Sequence, residues 1–281
     1  RVMVNNELRD LYLQELDSDW EEETLEFRKL ISYYECAVME IETKLKVLDK
    51  EFSLEYDKNP IAAIQSRVKS NSGIMRKLKK RGLHPDMTAG LSLGEYCAIA
   101  AAGGMSDMDA VRTVRARGIF MEHAAPEGTG AMSAILGMEN SSVEKVIQEI
   151  EGAYIANYNC PGQIVITGWK ESVEQAGAVL KDAGAKRVLP LNVSGPFHSP
   201  MLQEAAGQLK EVLDQIECSP LQIPYVTNVT GRYVSDIEET KELLIQQIAA
   251  PVRWQQSVEE MIRQGVDTFV EIGPGRTLSG F

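Results

Sequence analysis

Basic charge is in short supply: 29 lysines and arginines stand against 41 acidic residues in 281, for a net charge of -12. An acidic body repels phosphate, which excludes a general nucleic-acid binder. Cysteine is scarce too. Cys36, Cys97, Cys160 and Cys218 are scattered without C-x-x-C spacing, so neither a disulfide framework nor a zinc site is expected, and a reducing cytoplasmic setting fits. No apolar run approaches membrane-spanning length, and the opening RVMVNNELRD lacks the basic and apolar regions of a signal peptide, so no membrane association is expected. The chain opens on Arg1 rather than Met, which reads as a fragment or a processed chain. Histidine occurs only three times, which narrows any search for a general base to His84, His123 and His198.

What is present is an ordinary globular composition, 44% hydrophobic and 25% charged, with room for one large or two modest domains. Residues 1–84 differ from the rest. Glycine and proline are few, helical periodicity runs through Leu30, Tyr34, Val38, Ile41, Leu45 and Leu48, and Asn59-Pro60 starts a second element, which together predict a helical hairpin. No acid falls between Asp57 and Asp86, a span holding Arg67, Lys69, Arg76, Lys77, Lys79, Lys80 and Arg81. A solvated helix face explains such a run most simply.

From Pro85 onward strands and helices alternate, and an α/β body is expected over residues 85–127 and 197–281. Between them, residues 128–196 read as βαββαβ: strand Gly130 to Met138, helix Ser141 to Glu151, strands Ile155 to Tyr158 and Gln163 to Thr167, helix Glu171 to Ala183, strand Lys186 to Leu191. That order is the ferredoxin-like arrangement. Further strands are expected near Tyr225 to Asn228 and Thr268 to Glu271.

Gly90-Leu91-Ser92-Leu93-Gly94 is a G-x-S-x-G run after a short strand and before an Ala-rich helix, the context of a nucleophile elbow. Ser92 is the expected nucleophile. Small residues at Gly90 and Gly94 suit a tight turn whose backbone is strained, and the Leu93 N–H opens a helix N-terminus able to stabilise an oxyanion. His198 is the expected base, because Ser194-Gly195-Pro196-Phe197-His198-Ser199-Pro200 fixes its backbone with two prolines; His84 lies at the wrong end of the strand and His123 in a solvated loop. No acid stands out as a third member, so backbone carbonyls are expected to orient the histidine. Arg117 falls beside the inward stripe Val111, Val114, Gly118 and Met121 of the helix from Asp107 to Glu122, where a guanidinium lacking an obvious acid suits a carboxylate.

Two resemblances follow. Residues from about Trp20 to Gly82, with Asn59-Pro60-Ile61, Ser66-Arg67-Val68-Lys69-Ser70 and Ile74 to Lys79, resemble the N-terminal helices of small alarmone (ppGpp) synthetases, which implies a nucleotide role for Arg67, Lys69 and Lys77. The acidic strand residues that would hold magnesium in that family do not follow, and Gly73 stands where a serine is usual.

Residues from about Pro85 to Phe281 resemble malonyl-CoA:acyl carrier protein transacylases. The motifs are GLSLGEY at Gly90, MDAVRTVRARG ending at Gly118, GAMSAILGM at Gly130, NYNCPGQIVITG at Asn157, SGPFHSPM at Ser194, NVTG at Asn228, APVRWQQSV at Ala250 and FVEIGPGRTLSG at Phe269. The resemblance implies that Ser92 attacks a malonyl thioester of coenzyme A, that His198 moves the proton, and that Arg117 pairs with the free carboxylate. It also implies that the Gln247 main-chain oxygen fixes the histidine tautomer and that Asn157 and Asn159 lie near the thioester arm. Acyl carrier protein is then the partner, and no metal or cofactor is needed. The family's Phe-Pro-Gly-Gln-Gly loop, source of a second oxyanion donor, has no counterpart in residues 1–84, so the chain reads as an alarmone-synthetase start joined near Gly82 to a transacylase body. A serine hydrolase or thioesterase, and an impaired chimera with only nucleotide-binding remnants, are the alternatives.

Overall fold

In the computed structural model of the protein, the described residues are 82–281 apart from Glu127, Ser194, Pro274 and Gly275, together with 73–75, Leu78 and Lys80. The expected helical hairpin, and with it Arg67, Lys69 and Lys77, lies outside them.

The body starts with a two-residue strand β1 (Thr88–Ala89), which turns at once into helix α1 (Leu93–Ala101). Helix α2 (Asp107–His123) follows and is capped at Ser106, whose hydroxyl accepts the Asp109 N–H at 3.0 Å and donates to the Asp109 carboxylate at 2.7 Å. That side-chain cap offsets the unpaired N–H groups of the first turn. The chain then crosses to the second unit: β2 (Gly130–Leu136), α3 (Asn140–Gln148), β3 (Ala153–Cys160), β4 (Gln163–Trp169), α4 (Lys170–Asp182) and β5 (Arg187–Pro190). It returns through a 3-10 turn (Pro200–Leu202) to α5 (Gln203–Asp214), β6 (Tyr225–Val226), β7 (Tyr233–Val234), α6 (Glu238–Ala249), β8 (Val252–Arg253) and α7 (Trp254–Arg263).

Two sheets result. The body sheet has order β1-β6-β7, with β1 parallel to β6 and β7 antiparallel. The second has order β5-β2-β4-β3-β8, whose first four strands are the antiparallel ferredoxin-like sheet expected of the βαββαβ run. The fifth, β8, comes from the body and pairs parallel with β3, Asn157 opposite Val252. Thr268–Glu271, expected as a strand, pairs with nothing among the described residues, and Phe269 and Val270 are exposed. β-Propensity makes a strand only where an edge is offered to pair with.

Side-chain alternation sorts the second sheet's residues between two cores. Ile135, Ile164 and Ile166 pack with Val143, Ile147, Val173 and Leu180 of α3 and α4, whereas Met132, Ala134, Ala156 and Val165 form a smaller cluster on the opposite face. Phe197 packs against that smaller cluster and also against the body core of Tyr96, Ile99, Val111, Val114, Leu202, Leu209, Leu213, Tyr225, Leu244 and Ile248. The turn that carries His198 is thereby wedged between the units. Gly130 lets it seat closely, since a Cβ there would stand 2.4 Å from Pro196 Cδ.

At the elbow the two glycines differ. A Cβ on Gly90 would lie 2.0 Å from the Gly94 backbone, but one on Gly94 meets nothing within 4 Å. The packing therefore demands glycine at Gly90, where the strand passes under the first turn of α1, and leaves Gly94 clear of neighbouring protein atoms. Gly90→Ala is expected to cost about 3 kcal/mol or more in urea unfolding. Gly94→Ala, an exchange of glycine for the best helix former, should match the wild type or exceed it by up to about 1 kcal/mol.

Candidate active site

The parallel register of β1 and β6, Thr88 opposite Tyr225 and Ala89 opposite Val226, brings the C-terminal ends of both strands together. This is where open α/β sheets place their ligands. Gly90 and Ser92 leave one strand and Asn228 leaves the other. Ser92 has φ 52° and ψ -104°, a left-handed conformation that a serine adopts only when its surroundings fix it. Asn228 does so from the side: its Oδ1 accepts the Ser92 N–H at 2.6 Å, and its Nδ2 donates to the Gly90 carbonyl at 2.7 Å.

Above the turn the Ser92 hydroxyl meets two side chains. His198 Nε2 lies 2.7 Å from Oγ, and the other ring nitrogen, Nδ1, is 2.9 Å from the Gln247 carbonyl. A carbonyl only accepts, so the ring proton sits on Nδ1 and Nε2 is free to take the serine's proton. That carbonyl is available because α6 ends there: Pro251 forces Ala250 into an extended conformation, φ -112° and ψ 153°, and the last-turn carbonyls lose their helical partners. The negative end of the α6 dipole also favours a cationic imidazole as the proton arrives. Burial and the nearby Arg117 charge push the His198 ring down to about 4, so it is a neutral base over the whole neutral range. His198 itself has φ 60°, as strained as its partner.

Arg117 lies on the buried face of α2, in register with Ala110, Val111, Thr113, Val114 and Met121 rather than beside them. Its Nη2 donates to Ser92 Oγ at 3.0 Å, its guanidinium stands over the Tyr96 ring with Cζ 5.7 Å from the centroid, and its Nε has no hydrogen-bond partner among the described residues. No carboxylate among the described residues is within salt-bridge distance of it. The buried Glu95 carboxylate acts on it only through space, so the guanidinium's hydrogen-bonding fork is left without a contacting anion and is best matched by a carboxylate brought in from outside. The Leu93 N–H, first in α1, donates to no group among the described residues and stands ready for an oxyanion.

Ser92, Leu93, Arg117, His198 and Gln247, all expected from the sequence, thus converge. Asn157 and Asn159 do not join them by any hydrogen bond: both are buried on β3, and the Asn159 Oδ1 has no partner among the described residues. Two residues escaped the sequence reading. Glu95 is fully buried beneath the elbow and accepts from Gln247 Nε2 at 2.6 Å and from the Asn228 N–H at 3.2 Å; Asn228 is the clamp itself. A lone acid in the apolar run LGEYCAIAAA was the available signal for the first. The second had none beyond its place in NVTG.

Comparison with known proteins agrees with this geometry. The acyl transferase domain family matches residues 71–279, a span that opens inside the segment before Pro85. The malonyl CoA-acyl carrier protein transacylase of Bacillus subtilis (strain 168) is 45% identical over 249 residues, covering 85% of this chain and 77% of that protein. The enzyme of the same name from Escherichia coli (strain K12) is 46% identical over 202 residues, 71% of this chain and 65% of its own length. Among solved structures, an acyl carrier protein S-malonyltransferase from Vibrio cholerae superposes with a TM-score of 0.77 at 36% identity, covering 85% of this chain and 84% of that one. A malonyl-transacylase in complex with a type II PKS acyl-carrier protein gives 0.77 at 37% identity over 85% of this chain and 83% of that one.

The His198 ring supplies a pH test. A folded-state value below the usual one means that the unfolded chain binds the proton first, so His198 costs stability at low pH and ceases to as pH rises through about 6.5. Between pH 6.5 and about 4 the wild type should lose about 3 kcal/mol more than His198→Gln in urea unfolding. Parallel losses would show that burial does not penalise the imidazolium.

Proposed function

Because the chain belongs to the acyl transferase family and stands among its malonyl CoA-acyl carrier protein transacylases, we propose that it moves a malonyl group from malonyl-CoA to the phosphopantetheine thiol of acyl carrier protein, a step of fatty acid biosynthesis. The observation that carries the reading is Arg117: a buried guanidinium with no carboxylate within salt-bridge distance among the described residues, 3.0 Å from the nucleophile.

Ser92 Oγ attacks the thioester carbonyl while His198 Nε2 takes its proton. The tetrahedral oxyanion faces the Leu93 N–H at the positive end of α1. As the C–S bond breaks, His198 returns the proton to the leaving thiolate and free coenzyme A departs, leaving a malonyl ester on Ser92. The carrier's thiol then gives its proton to His198, its sulfur attacks the ester, and the proton goes back to Oγ. Throughout, the substrate carboxylate is paired with the Arg117 fork, which positions the carbonyl over Ser92. Nucleophile, base and anion partner are all side chains, so this cycle calls for no metal or cofactor. Asn157 and Asn159 are assigned to the thioester arm on the resemblance alone. With no counterpart of the family's glutamine loop in residues 1–84, one oxyanion donor is missing from this account, an absence typically worth about 3 kcal/mol, or about a hundredfold in rate.

Hydrolysis of neutral esters would leave Arg117 unexplained. The nucleotide role suggested for Arg67, Lys69 and Lys77 gains no support from any relative named above.

Brief incubation with malonyl-CoA should give a malonyl adduct by mass spectrometry that Ser92→Ala abolishes and carrier protein removes. No adduct on folded protein would overturn the proposal. Arg117→Ala should lower kcat/KM for malonyl-CoA by about a hundredfold while acetyl-CoA, lacking the carboxylate, changes by less than about threefold.

A further inference from the structure

Glu95 takes no part in the chemistry above, yet it occupies the centre of the hydrogen bonding that supports it. We propose that Glu95 is a positioning residue whose carboxylate ties Asn228 to Gln247 and so fixes, together, the backbone of Ser92 and the carbonyl that orients His198. The proposal rests on Ser92 and His198 acting as the nucleophile and base just described.

The connections close on themselves. Glu95 Oε2 accepts from the Asn228 N–H and from Gln247 Nε2. Asn228 Oδ1 accepts from the Ser92 N–H. Gln247 Nε2 spends its second proton on the Ser92 carbonyl at 3.0 Å. Both backbone polar groups of the strained serine are therefore held by side chains from other elements, and both of those side-chain residues are held by one carboxylate. The same Gln247 presents its main-chain oxygen to His198 Nδ1. Displacing Gln247 would thus move nucleophile and base at once.

A neutral amide would do this less well. Two donors converge on one oxygen, which a carboxylate accepts more strongly than an amide. Among the described residues the other oxygen, Oε1, has no donor within hydrogen-bond distance, so the site offers an NH2 placed there no ready acceptor. Burial pushes the Glu95 carboxyl up to about 7, against the opposing pull of its bonds to Gln247 and Asn228, of the neighbouring Thr227 and of the Arg117 charge. The titratable and charged groups around it are Arg117 of α2, Tyr96 of α1, Tyr225 of β6 and, through Gln247, His198. The ionised form makes the stronger bonds and stands against the Arg117 charge that depresses His198, so Ser92 should gain reactivity as pH rises through about 7.

Sulfonylation of Ser92 by phenylmethylsulfonyl fluoride reads this directly, because the reagent is neutral and needs neither malonyl-CoA nor Arg117. Between about pH 5.5 and about pH 8.5 the wild-type rate should rise with an inflection near 7, and Glu95→Gln should be about tenfold slower at the upper end with no inflection. The His198 ring resonances, followed by NMR in the same titration, should stay those of a neutral ring throughout, separating the two groups. A purely structural role for Glu95 would leave no inflection to lose. A flat wild-type profile, or the same rate and inflection in both proteins, would overturn the proposal. Should the glutamine variant not fold, the wild-type profile and the His198 resonances decide it. Wild type that is sulfonylated at Ser92 but never loaded by malonyl-CoA would sink the malonyl reading while leaving Glu95 judged by the reagent.

Discussion

Everything at the elbow depends on holding Ser92 where serine does not rest by itself. A positive φ on a residue with a side chain costs about 1–3 kcal/mol. The chain meets that cost with hydrogen bonds brought from far away in sequence, Asn228 to the Ser92 N–H and Gln247 to its carbonyl. Gly90 meets it sterically, by letting the first turn of α1 lie on the strand. The reward is directional: Oγ stands out from the turn within reach of His198 and Arg117, beside the first N–H of α1.

Helix ends supply much of the electrostatics. α1 begins at Ser92 and α6 ends at the carbonyl that receives His198, so the positive end of one dipole lies at the hydroxyl and the negative end of the other at the imidazole. Pro251 is responsible for the second, since it terminates α6 and releases the carbonyls that receive His198. Buried titratable groups are stressed in opposite senses here. His198 is kept neutral, and Glu95, where ionised, costs the folded state about 3 kcal/mol above pH 7, consistent with a site in which stability has been given up for arrangement.

Local pattern and global contact divide what was legible. The elbow, the proline-bounded His198 turn and the α2 face carrying Arg117 are each written within ten or so consecutive residues, where turn chemistry and helical period can be read. The βαββαβ order was legible for the same reason, its strands and helices being long and strongly alternating. Glu95 and Asn228 meet across 133 residues and Glu95 and Gln247 across 152, distances over which single-sequence periodicity carries nothing. Short extended pieces were the other blind spot: Val252–Arg253 is a strand because β3 offers an edge, whereas the more apolar Phe269-Val270 is not. Of the two elbow glycines it is Gly90 that the protein's own packing requires, since strand-helix contact is set by which side of the turn each faces.

β8 has a mechanical meaning. Within five residues of Gln247 the chain leaves the body and enters the other sheet, pairing Val252 and Arg253 with Asn157 and Tyr158, while the Arg253 guanidinium stacks 5.4 Å from the centre of the Tyr158 ring and its Nε donates to the Val229 carbonyl. The smaller unit is consequently sewn to the body by a seam as well as by its two crossing strands of chain. Swinging it outward like a jaw would mean unzipping that seam and tugging on the very segment that aims the histidine. The spacing of the two units beside the His198 turn is therefore set by covalent and hydrogen-bonded construction.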